Sequence, residues 1–164
     1  MAKQGRWLEA AAAYRAALES DPNDVSTLLN LASVLSRLGN TEAAVSMFEH
    51  ALRLDSNSVE ALNNLAWIFA TDSKDGMRDG TRAVAYGERA CELTRYQLPA
   101  IVGTLAAAYA EAGRFSEAIV TAERAISLAR AIGQAELAAR NSELLELYRA
   151  QKPWHEPAPA GGIP

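Results

Sequence analysis

Cysteine, histidine and long apolar runs are scarce in this chain of 164 residues, and each shortage removes a class of answer. The one cysteine, Cys91, cannot close an internal disulfide, so cysteine usage does not report a redox compartment. The two histidines, His50 and His155, have no partner at metal-ligand or triad spacing; His50 falls on a helix among surface positions, and His155 in a Pro-rich tail. No stretch approaches 18 consecutive apolar residues, and Met-Ala-Lys-Gln-Gly-Arg lacks the apolar core of a signal peptide. The chain is expected neither to insert directly into a membrane nor to carry a targeting segment, which leaves the cytoplasm as the default compartment. An excess of one charge is also missing: 16 basic residues face 20 acidic ones for a net charge of -4, with the signs interspersed. Without a basic stripe, nucleic acid is excluded as a partner. Ser33 and Ser36 have no positioned base and no Gly-rich phosphate loop occurs, so the chain reads as a non-enzyme with no cofactor and no metal. Cys91 follows Ala90 in a helical pattern and reads as a small core hydrophobe rather than a nucleophile.

What is abundant is alanine and glycine at repeated spacing. Gly5-Arg6-Trp7 precedes Ala10, Tyr14 and Ala17; Gly39 precedes Ala44, Phe48 and Ala51; Gly113-Arg114-Phe115 precedes Ala118, Ala122 and Ala125. The distance from glycine to first alanine is five residues each time, and Ala10 to Ala44 is 34 residues. That period belongs to a helix-turn-helix solenoid, in which no unit buries its own apolar face and each stacks on its neighbour. Small residues let two helix backbones approach at a crossing, while Leu, Phe and Tyr fill the grooves beside them.

These residues resemble the tetratricopeptide repeat family, with its small or Gly position in helix A and Ala-x3-aromatic in helix B. The resemblance covers roughly residues 3 to 130 and implies an all-α fold: a right-handed α-solenoid of antiparallel helix pairs, about three and a half repeats plus a C-terminal capping helix. Residues 1–24 form a half repeat lacking its helix A, followed by repeats over 25–58, 59–97 and 98–131. Ser56 stands where the family has a late Pro, Ala122 replaces an aromatic, and the third repeat carries an insertion, Ala44 to Ala83 being 39 residues. Helices are predicted near 6–20, 24–38, 41–54, 58–71, 80–95, 99–112, 115–131 and 134–151, with no strand. Asp21-Pro22-Asn23-Asp24 ends one helix and caps the next, Asn57 with Glu60 resembles a capping box, and Pro99 suits a first turn. Gly39 and Gly113 fit left-handed C-cap positions.

The helix over 134–151 has Leu137, Leu144, Leu145 and Tyr148 at helical spacing, with Arg140, Asn141 and Glu143 among the polar positions, and reads as the cap that shields the last repeat. Residues 152–164 read as a flexible Pro/Gly-rich tail in which Trp154 alone docks. The insertion from Asp72 to Gly80 lacks the ligand spacing and terminal Glu of a calcium loop; it is expected to protrude with Met77 tucked in. With Asn63-Asn64-Leu65-Ala66-Trp67 and Leu147-Tyr148-Arg149-Ala150, this loop also resembles C-terminal repeat tails of large bacterial proteins, some with membrane-embedded glycosyltransferase-like regions.

The family resemblance implies a protein-interaction scaffold that binds a peptide or protein segment in a concave groove lined by the A helices. The exposed groove positions it implies are Asn30, Ser33, Arg37, Asn63, Asn64, Trp67, Thr71, Thr104, Ala107 and Glu111. Asn30 and Asn64, one period apart, are the main candidates, because an amide pairs with both groups of a peptide backbone. Leu29, Ala100 and Thr104 stand where chaperone-binding members carry basic residues, so a chaperone-tail receptor is not expected. Trp67 is open to two readings, a ligand anchor or a side chain packed into the hollow left by Gly103, Thr104 and Ala107. An alternative function is a structural or self-association module of a larger bacterial protein: Trp7, Ala10, Ala11, Tyr14 and Leu18 form the face a missing helix A would cover. Either a second copy covers it, giving a homodimer, or a parent chain supplies the helix.

Overall fold

The computed structural model describes residues 2–157, with side chains from residue 5. The described residues hold eight α-helices, one short 3-10 turn and no strand. In order these are α1 (Ala2–Ser20), α2 (Val25–Arg37), α3 (Thr41–Leu54), α4 (Val59–Thr71), the 3-10 turn Asp75–Met77, α5 (Gly80–Leu93), α6 (Pro99–Glu111), α7 (Phe115–Ala131) and α8 (Ala135–Arg149). Packing divides the chain into two compact units, one ending at Ala61 and one beginning at Leu62.

In the first unit α2 packs against both α1 and α3. Asp24 caps α2 by accepting from the Ser26 and Thr27 N–H groups, each at 3.2 Å, which satisfies two of the four donors a helix start leaves open. Gly39, at φ 77°, closes α2: its own N–H reaches the Ser36 carbonyl at 3.0 Å, and the Asn40 N–H reaches that of Leu35 at 2.9 Å. A left-handed residue is needed for this pair of bonds, and glycine takes that conformation without a Cβ penalty. Ala32, Ala44, Phe48 and Ala51 are all fully buried, as a tight crossing of α2 and α3 requires.

The expected bare face of α1 is corrected here. Ala11 is only 1% exposed, and Trp7, Ala10, Tyr14 and Leu18 are half-buried, whereas the other described α1 side chains are exposed. The Arg37 guanidinium of α2 lies 5.1 Å from the Trp7 ring centroid. α1 thus turns this stripe toward α2, which leaves Ala11 fully covered and Trp7, Ala10, Tyr14 and Leu18 covered in part.

In the second unit, α5, α7 and α8 all pack on α6, and ten of the thirteen α6 residues are buried. Two glycines set the closest approaches. A Cβ on Gly80 would lie 2.7 Å from both the Ala112 Cα and N, and one on Gly103 would lie 2.5 Å from the Asn141 Oδ1. Phe69 of α4 and Tyr86 of α5 stack with centroids 6.0 Å apart, under the Arg82 guanidinium, which is 4.0 Å from the Phe69 ring. Four helices here end in the same closure as α2. Gly113 and Gly133 serve α6 and α7, but Arg95 and Gln151, at φ 53° and 56°, serve α5 and α8.

Two local expectations shift. α4 starts at Val59 after Ser58, whose hydroxyl accepts the Ala61 N–H at 3.4 Å, so the cap falls one residue past Asn57. In α8, Asn141 is only 4% exposed. Its spacing from Leu137, Leu144 and Tyr148 puts it on the inward stripe rather than the polar face.

Candidate functional site

The A-type helices of the second unit, α4 and α6, meet α8 around an open cavity of about 180 Å3. Its walls include Asn63, Asn64 and Trp67 from α4, Gly103 and Thr104 from α6, and Arg140 and Asn141 from α8. The chain folds this way because Gly103 has no side chain: Asn141 occupies that space, with its amide donating to the Leu137 carbonyl at 2.9 Å. The Asn63 Oδ1 is buried and accepts no hydrogen bond within the protein.

Across this face runs the segment after α8. It leaves the helix through a closure at Gln151, where the Lys152 N–H bonds the Leu147 carbonyl at 2.9 Å. Trp154 then lies against Trp67, ring centroids 5.6 Å apart, and the Arg140 guanidinium stands 5.0 Å from Trp67 and 5.7 Å from Trp154. A guanidinium over two indoles draws on the negative ring faces. The Trp67 indole N–H donates to the Glu156 Oε1 at 2.8 Å. The Glu156 backbone N–H donates to the Thr71 carbonyl at 2.7 Å, filling an acceptor that the end of α4 leaves open. His155 Nε2 is 2.7 Å from the Glu111 Oε2 at the end of α6. The segment therefore touches α8 and α4 through Trp154, α6 through His155 and α4 again through Glu156. The expectation that only Trp154 docks is corrected for His155 and Glu156, because helix-end carbonyls and a carboxylate offer them partners that composition does not reveal. Residues 158–164 of the expected flexible tail lie outside the described residues.

The predicted groove residues divide by burial. Asn30 and Arg37 are exposed and Ser33 half-buried on α2 of the first unit, where Arg37 is engaged over Trp7. In the second unit Asn63, Asn64, Trp67 and Thr104 line one cavity. Thr71, Thr104 and Ala107 are buried, not exposed, at 0%, 6% and 3%. The Thr71 and Thr104 hydroxyls turn back to the Trp67 and Ala100 carbonyls at 2.8 and 3.2 Å. What Thr71 offers an incoming chain is its carbonyl. Trp67 fills no hollow at Gly103, which Asn141 occupies; it is half-buried beneath Trp154 and Arg140. Arg140, Asn141 and the Trp154–Glu156 segment are site residues that the sequence reading missed. A Trp-His-Glu run inside an otherwise Pro/Ala/Gly tail was the available signal.

The insertion is held by Arg78 more than by Met77, which is half-buried. Arg78 bonds the Asp72 carbonyl at 2.7 Å and the Glu111 Oε1 at 3.2 Å and pairs with Asp75. Glu111 thus joins the loop, through one oxygen, to the tail, through the other. No group of three or more His, Cys, Asp and Glu side chains is placed to hold a metal among the described residues. Nor is any described helix long and apolar enough to cross a membrane. Cys91 is fully buried, and burial pushes its thiol up to about 12.

Comparison with known proteins agrees with the all-helical architecture. Stacked antiparallel helix pairs define the class, an α-solenoid. More narrowly, residues 1–68 match the family model for the tetratricopeptide repeat. Two crystal structures of MamA are similar, each with a TM-score of 0.64. One is 27% identical and covers 91% of this chain and 80% of that chain; the other is 24% identical and covers 91% and 90%. No curated protein matches the chain.

Proposed function

We propose that the protein is a non-enzymatic interaction scaffold that binds an extended segment of another protein on the faces of its A-type helices. In the first unit the contacts are Asn30, Ser33 and Arg37; in the second they are Asn63, Asn64, Trp67, the Thr71 carbonyl, Thr104 and Glu111. One observation carries the reading: a stretch without secondary structure, Trp154 to Glu156, already lies on α6 and α4 with main-chain and side-chain bonds to them. A face that holds such a stretch in cis has the donors, acceptors and ring surfaces to hold one in trans. The Asn63 Oδ1, buried beside an open cavity, adds an acceptor that awaits a donor.

The test is a pair of substitutions on matching helix positions. Asn30→Ala with Asn64→Ala removes two amides, each worth about 0.5 to 1.5 kcal/mol as a hydrogen-bonding group, so partner affinity should fall roughly tenfold with helicity unchanged. Equal affinity for the double variant would move the site elsewhere, to the loop around Met77.

A further inference from the structure

The contacts made by Trp154 and Glu156 specify a ligand chemistry. Trp67 presents a ring face to Trp154 and its in-plane indole N–H to Glu156, and the Arg140 guanidinium stands 5.0 Å from the ring centroid. Together they take one aromatic ring and one carboxylate. The Thr71 carbonyl takes the backbone N–H of the residue that carries the carboxylate. In this chain the ring is at 154 and the carboxylate at 156. We infer that the face of Trp67, Thr71 and Arg140 recognises a partner segment bearing an aromatic residue two positions before a carboxylate, and that residues 154–156 occupy it as a tethered mimic of that segment.

The inference rests on the groove reading above and names both the ligand class and its competitor. Two features distinguish a mimic from a permanent part of the core. The segment is thinly held: Trp154 and His155 are half-buried, Glu156 is exposed, and the approach passes through Gln151 in a left-handed conformation that a side chain disfavours. It also leaves the candidate site incomplete, because the Oδ1 of Asn63, which lines the open cavity together with Trp67, stays buried and unpartnered. The same tail from a second copy would repeat these contacts, leave the same acceptor unmet, and lose translational freedom that the tethered tail does not. A different partner, with a donor that reaches Asn63, gains a bond that neither tail makes. The favoured occupant is therefore another protein's aromatic-x-acidic segment. Tethering sets the threshold: a ligand binds only the open fraction of molecules, so its apparent dissociation constant is the intrinsic one divided by that fraction.

The experiment uses the full chain and, as probe, a fluorescent peptide of sequence Lys-Pro-Trp-His-Glu-Pro. Against the Trp154→Ala/Glu156→Ala chain the peptide should bind at least about tenfold more tightly than against the unaltered chain. Adding Trp67→Ala, or replacing the peptide's Trp by Ala, should abolish binding. Heteronuclear NMR supplies a second readout: the Trp67 indole resonance should move in the tail variant and return to its original position when peptide is added. Failure of the peptide to bind the tail variant would overturn the inference, as would equal binding to both chains. A dimer of the unaltered chain that disappears in the tail variant would also overturn it, by giving the face to a second copy. Loss of partner binding in the Asn30→Ala/Asn64→Ala chain, alongside a peptide that never binds, would leave the scaffold reading standing and remove this one alone.

Discussion

Trp67 donates its indole N–H to the carboxylate of Glu156, 89 residues further on, at 2.8 Å. The bond ties α4 to a segment with no regular structure. Arg140 covers the same indole from α8.

Loss of Trp154 should release this segment without unfolding the unit. Trp154→Ala removes an aromatic pair and a cation–π contact, each on the order of 1 kcal/mol at a partly exposed site. Global stability should fall by no more than about 2 kcal/mol, since α4, α6 and α8 keep their buried faces. Hydrogen exchange at the Glu156 amide, which bonds the Thr71 carbonyl, should accelerate in the variant; unchanged exchange would show that the segment is not held by that ring.

Two small residues should resist enlargement for different reasons. Gly80→Ala drives a Cβ against the Ala112 backbone, where no rotamer change relieves the contact. Ala44→Leu adds bulk at a fully buried position. Overpacking of either kind costs on the order of 1 to 3 kcal/mol. Urea denaturation with an unchanged midpoint would show that the helices separate freely at that point.

Arg95 and Gln151 do the work of a C-cap glycine with side chains attached. Replacing either by glycine removes the left-handed penalty, about 1 kcal/mol, and gives back part of it as unfolded-chain entropy. Arg95→Gly and Gln151→Gly should each raise stability by a few tenths of a kcal/mol, read as a higher midpoint in chemical denaturation. A lower midpoint in Arg95→Gly would show that the Arg95 side chain contributes more than its backbone strain costs.

The thiol of Cys91 gives a signed pH dependence. Its pKa is raised from 9.0 to about 12 in the folded protein by burial, so folding favours the neutral form. The resulting stability is fully present below pH 9 and is lost as pH climbs from there toward 12. Stability should decline more steeply across that window in the unaltered chain than in Cys91→Ala. A thiol reagent at pH 8 should label the native protein only as fast as it opens; immediate labelling would contradict the burial.

Much of the helical plan was legible in order. Spacings of five and 34 residues put Ala32 and Ala44 at buried positions, Asp24 at a cap and Gly39 and Gly113 at left-handed ends, because each follows from local geometry at a helix terminus or from the helical period. Arg95 and Gln151 carried no such signal. Any residue can be forced into the left-handed region when the following chain is held, and that holding comes from elsewhere in the fold.

The sequence by itself determined the helical class and the candidate face on α4, since period and small-residue placement act within one repeat. It could not determine which side of α1 is covered, that Asn141 fills the space at Gly103, or that Trp154, His155 and Glu156 find Trp67, Glu111 and Thr71. Those outcomes depend on which surfaces meet after the helices stack. A contact across 89 residues has no spacing rule, and only the tertiary structure decides it.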